Sequence, residues 1–245
     1  ADKDLSISGD VKLFIPSYQS SQPGHILLRA GETLMLDMTQ HFDTNTFSTT
    51  PSIDFGGSGT GGAGEMTLKG QNIHILNDTL ICGDTKEMRD MPKFTIIADE
   101  TFKIESENEF SRENISFFST SGGAGGALHI DSPDIRLNKA MILISNRNEG
   151  SGPMVSFTSD HFIMENASSI NIVNYDNAKG CKISLLAKDT MVISGRSTSL
   201  EIGTYGTQKG GSLRLEANNI SVLDGATLST DTSHEGDGGE LYIIA

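Results

Sequence analysis

Apolar and polar residues alternate from Gly211 to Ala217, with Leu213 and Leu215 apolar, Arg214 and Glu216 polar, and Ala217 small. The phrase returns 28 residues later as Gly239 to Ala245. Used as a ruler, it finds starts at Gly24, Gly64, Pro92, Gly126, Pro153, Cys181, Gly211 and Gly239, spaced by 40, 28, 34, 27, 28, 30 and 28. The second residue after each start is Ile26, Met66, Phe94, Leu128, Val155, Ile183, Leu213 or Leu241. The fourth is Leu28, Leu68, Ile96, Ile130, Phe157, Leu185, Leu215 or Ile243. The sixth is small throughout: Ala30, Gly70, Ala98, Ser132, Ser159, Ala187, Ala217 and Ala245.

Period-two alternation puts these three positions on one strand face. Two large side chains then fill an interior, and the small third fits a corner where a bulky one would collide with the next coil. Ile97, Leu186 and Ile244 break the outward pattern and are expected beneath loops. A second strand should follow each corner, at Ile73 and Ile75, Ile135 and Leu137, Phe162 and Met164, and Ile220 and Val222. The third coil needs a shift of one, to Phe102 and Ile104, because Lys103 would otherwise face inward. A third strand is expected around Ile81, Leu143, Ile170, Leu200 and Leu228.

A fixed period of this size, built of short strands and Gly-rich turns, signals stacked coils. The expected fold is all-β: a right-handed parallel β-helix, a β-solenoid with three strands per coil, about 28 residues per coil and about eight coils. Residues 1–23 follow the ruler poorly and read as a lead-in strand or irregular first coil, and residues 24–245 as the β-helix. The last residues finish a first strand with no cap, which reads as a fragment of a longer solenoid. Extra length falls in the first coil, HFDTNTFSTTPSIDF, and the third, ENEFSRENISFF.

Composition narrows the function classes. The chain of 245 residues has 27 Gly and no Trp, a mix suited to strands and turns rather than long helices. Its net charge of −14 argues against nucleic acid, which requires a basic face. No apolar run is long enough to span a membrane. Cys82 and Cys181 lie more than three coils apart in this register, too far for a disulfide. No His pair has zinc spacing, and GGSGTGGAG lacks the Lys-Ser/Thr of a phosphate-binding loop, so the pattern calls for no metal or cofactor.

The phrase GGSLRLEANNISVLDGATLSTDTSHEGDGGELYI resembles the repeat of filamentous-haemagglutinin-like exoproteins, which bacteria export by two-partner secretion. The match is close over Gly210 to Ala245 and fair over Gly125 to Ser145. The resemblance implies a right-handed β-helix, secretion or cell-surface display, and adhesion or biofilm roles. The Asn-Pro-Asn signature of that family's secretion module is absent.

Two sets of residues are candidates for chemistry. Solenoid insertions become loops on one side, so His41, Phe42, Phe47, Phe110, Arg112 and Phe117 are expected to contact a surface glycan or a protein receptor. The alternative is that the Phe side chains cover a flank of the core. The eighth ruler position gives a column of Glu32, Asn72, Glu100, Asp134, His161, Asp189 and Asn219. Stacked Glu100 and Asp134 would suit a glycosidase carboxylate pair or a shared Ca²⁺. Alternatively, Asp and Asn recur there because they tolerate the corner backbone.

The expectation is a secreted or cell-surface β-helical adhesin or extracellular scaffold segment without catalytic activity. The rivals are a polysaccharide lyase or glycoside hydrolase of the β-helix class, and a filament subunit binding copies of itself end to end.

Overall fold

Side chains at every second position along the first strand stack on their counterparts in the next coil, and this places the core. A computed structural model of the chain describes residues 3–9, 11–15, 17–18, 24–38, 52–58, 64–77, 79–86, 90–107, 113–119, 125–147, 151–175, 181–233 and 235–245. The described residues form an all-β parallel solenoid of about six turns, with about 29 residues per turn and no helix. The expectation was about eight coils. Six rungs have both interior positions fully buried, from Met66 and Leu68 to Leu213 and Leu215. Ile26 and Leu28 begin this series, while Leu241 and Ile243 at its other end are exposed.

Every strand pair among the described residues is parallel, and the interior positions of the first strand keep the expected stacking. Ile26, Met66, Phe94, Leu128, Val155, Ile183, Leu213 and Leu241 form one continuous row of paired residues. A second row runs through Leu34, Ile73, Phe102, Ile135, Phe162, Met191 and Ile220. Leu5 pairs with Leu34 at its start, and Leu13 pairs with Ile53, so strands Leu5–Ser8 and Lys12–Phe14 lie in register in both sheets.

The strands assemble into two sheets, of 12 and 11 strands. In the first sheet, strands Glu65–Leu76, Lys93–Glu105, Met154–Glu165 and Lys182–Ser194 run unbroken through the first and second expected strands. They turn at the small buried residues Gly70, Ala98, Ser159 and Ala187, as the sixth ruler position requires. Other coils break there instead, as at Ser132, between strands Ala127–Asp131 and Asp134–Asn138.

One extra residue lies between Arg29 and Thr33, opposite Lys69 and Asn72, where the first coil breaks into two strands. Two register shifts within unbroken strands insert one residue each. One lies between Ala98 and Thr101, opposite Gly70 and Asn72. The other lies between Ala187 and Thr190, opposite Ser159 and His161. The first is the expected shift of the third coil. The second was not expected, because the polar Lys188 and Asp189 suit either phase.

The second sheet stacks Ile53, Ile81, Ile115, Ile142, Ile170, Leu200 and Leu228. Ile142, not the expected Leu143, points inward. Leu186, expected beneath a loop, is 39% exposed.

Each end of the second sheet carries a buried polar corner. At one, hydroxyls bridge successive coils: Thr79 Oγ1 accepts from Met38 N (2.8 Å) and donates to Leu76 O (2.7 Å), and Ser168 Oγ accepts from Ala140 N (3.0 Å) and donates to Glu165 O (2.7 Å). These bonds satisfy backbone groups that the bend takes out of the ladder. Asn77, Lys139, Asn166 and Asp224 adopt left-handed backbone just before it. At the other corner Thr85, Ser119, Asn146, Asn174 and Thr204 form a buried row.

Candidate functional site

The outward face of the first sheet carries the only acid column the sequence suggested, and one-residue insertions in three coils rearrange it. Across the ladder Asp134 lies between Thr101 and His161, and the row continues through Thr33, Asn72, Thr190 and Asn219. Thr33, Thr101 and Thr190 therefore stand where Glu32, Glu100 and Asp189 were expected. Glu100 sits within the inserted stretch and accepts a hydrogen bond from Gln71 Nε2 at 2.6 Å. Asp134 accepts from Arg136 Nε at 2.8 Å. The two carboxylates do not share a row, and each has its own partner.

A groove of about 230 Å³ lies two to four residues further along the same face. Its walls include Lys103, Glu105, Arg136, Asn138, Ile163 and Glu165. Strand alternation explains the set: His74, Lys103, Arg136 and Ile163 form one outward row, and Leu76, Glu105, Asn138 and Glu165 the next. In a chain of net charge −14, a row of His, Lys and Arg in consecutive coils is a local concentration of cationic groups. Burial, and then the neighbouring Lys103, hold the His74 imidazole below its usual pKa, with Glu105 opposing. His74 is therefore neutral at pH 7, and the positive charge of the row rests on Lys103 and Arg136.

Both cations are paired, Lys103 with Glu105 at 3.2 Å and Arg136 with Asp134 at 2.8 Å. Partly exposed pairs of this kind contribute about 0–1 kcal/mol each, so a charged or polyhydroxylated ligand can exchange with them at little cost. Glu105 and Glu165 are two coils apart with Asn138 between them, a backbone separation of about 10 Å from the strand spacing. Among the described residues, no three His, Cys, Asp or Glu side chains converge where a metal ion could be held.

The expected recognition residues separate. His41, Phe42, Phe47, Phe110 and Arg112 lie outside the described residues. Phe117 is buried, with its ring edge-on to Phe55 at 5.8 Å and to Phe94 at 6.4 Å, so it is a core residue and not a surface contact. Stacking aromatic edges against faces in the interior is worth more to this side chain than exposure. The groove residues were missed because no motif marks them. The signal was present once Lys103 had been turned outward: carrying that phase one coil up places Arg136 beside it. No helix among the described residues is long and apolar enough to cross a membrane. No protein-family model, no curated protein and no solved structure matches the chain.

Proposed function

We propose that this chain is a non-catalytic segment of a secreted or cell-surface adhesin or extracellular scaffold, built as a right-handed β-helix of about eight coils. The observation that carries the reading is the unbroken series of parallel rows, which makes a rod with a regular flank. A rod of this kind presents a surface at a distance and repeats it along its length. Resemblance of the Gly210 to Ala245 phrase to filamentous-haemagglutinin-like repeats supports the same role. A surface glycan or protein receptor is the partner, and copies of the chain stacked end to end are the alternative occupant.

The groove favours one rival specifically. A β-helical glycoside hydrolase would use Glu105 and Glu165, two carboxylates that line the same groove from strands two coils apart. The test combines two measurements on the intact chain. Beads coated with it should adhere to glycan-bearing cell surfaces above albumin-coated beads, and acidic and neutral polysaccharides should release no new reducing ends. Cleavage that vanishes in the Glu105→Gln/Glu165→Gln variant would replace the adhesin reading with the hydrolase one. Adherence equal to albumin would remove the adhesin reading outright.

A further inference from the structure

On the outer face of the second sheet, well away from the groove, one cation and three aromatic rings form a ladder across successive coils. The Arg147 guanidinium lies over Phe118 on one side, 5.4 Å from the ring centroid, and over Tyr175 on the other, at 4.8 Å. Tyr175 and Tyr205 pair across the parallel ladder, and their rings stack at 5.5 Å and 19°. Gly203 makes room for this: a Cβ there would lie 3.2 Å from Tyr205 Cε2, so the ring leans over the glycine. Tyr205 remains 50% exposed.

Among the described residues the ladder ends at Tyr205, for a simple reason of residue size. The next coil places Ser233 against Tyr205 and Asp231 against Gly203. Neither supplies a ring or a cation to continue the stack, and Asp231, whose side chain is exposed, instead brings a carboxylate to the level of the missing rung. Glu201 lies on the same outward face, in phase with Gly203 and Tyr205.

We infer that the exposed face of Tyr205, beside Asp231, is a binding site for a guanidinium group, the head group of an arginine side chain presented by a partner polypeptide. An aromatic face attracts a cation through the ring quadrupole, and guanidinium adds planar stacking that an ammonium ion lacks. The ladder already accommodates that group once, between Phe118 and Tyr175. Asp231 adds a carboxylate at the level of the incoming charge, and the net charge of −14 favours cationic partners over anionic ones. A neutral sugar would use the ring but not the carboxylate.

The chain carries only four tyrosines, so incorporation of 3-fluorotyrosine yields four ¹⁹F resonances, and the Tyr205→Leu variant assigns the relevant one by its loss. Titration with N-acetyl-arginine amide should shift the Tyr205 signal saturably and leave Tyr18 and Tyr242 in place. The uncharged aliphatic probe N-acetyl-norleucine amide, which lacks the guanidinium, should not shift it. Asp231→Asn should weaken the arginine probe about three- to five-fold, as expected for an exposed charge beside a cation–π contact. No saturable shift, an equal shift with norleucine amide or with methyl glucoside, or unchanged affinity in Asp231→Asn would each overturn the assignment. Adhesion assays on the intact chain are independent of this outcome, so failure here leaves the scaffold reading in place.

Discussion

Asn174 donates through Nδ2 to the Sγ of Cys181 at 2.6 Å, inside the buried polar row that closes one corner of each coil. Burial pushes the Cys181 thiol up to about 11, while the hydrogen bond from Asn174 pulls the other way. Cys82 is pushed up to about 12, by burial first and then by Asp54 and Asp84. Both groups therefore stay protonated in the fold where an unfolded chain would ionise. Their contribution is complete below the unfolded value of about 9 and is lost as pH rises through about 11 to 12. Denaturant titrations should show stability flat near pH 8 and falling above about pH 9, by on the order of 3 kcal/mol for Cys181 and about 4 kcal/mol for Cys82. Cys181→Ala should flatten that decline. At pH 8 neither thiol should react with a thiol reagent until the chain unfolds.

Adjacent leucines offer a sharp test of the register. Leu185 is buried between Phe157 and Leu215 in its row, whereas its neighbour Leu186 faces outward. Leu185→Ala should cost about 2–5 kcal/mol in urea unfolding, and Leu186→Ala under about 1 kcal/mol. Equal costs would mean that the alternation is misassigned.

Two glycines should respond in opposite directions. A Cβ on Gly152 would lie 2.6 Å from Cys181 N and 2.8 Å from its Cα, so the neighbouring backbone would have to move. Gly152→Ala should cost about 1–3 kcal/mol through overpacking. Nothing lies within 4 Å of a Cβ on Gly238, and its backbone is not left-handed. Gly238→Ala should leave stability unchanged or raise it by up to about 1 kcal/mol, by restricting the unfolded chain.

Thr79 shows what the hydroxyl corner contributes. Its Oγ1 is the acceptor for Met38 N, and Thr79→Val keeps the shape but removes that acceptor. Leaving a buried amide unpaired should cost about 1–3 kcal/mol. Amide exchange at Met38 should accelerate in Thr79→Val and return towards normal in Thr79→Ser.

The sequence by itself determined the interior of the first strand. Met66, Phe94, Leu128, Val155, Ile183 and Leu213 all stack where the ruler placed them, because alternation divides a strand into two faces and a repeating period superposes like positions. Lys103 even disclosed the first register shift, since a lysine facing inward would bury an unpaired charge. Tertiary structure decided what alternation leaves degenerate. Ile142 and Leu143 are both apolar, so either could have pointed inward, and only the alignment with Ile115 and Ile170 selects Ile142. Lys188 and Asp189 are both polar, so nothing local marked the second shift, and Asp189 left the column in which it was expected. Glu100 lost its place beside Asp134 through the first shift, because Lys103 signals an extra residue but does not say that it falls between Ala98 and Thr101. The groove at Lys103 and Arg136, and the ladder from Phe118 to Tyr205, depend on outward side chains meeting across coils about 30 residues apart. Those contacts exist only once each coil has settled on the one beneath it.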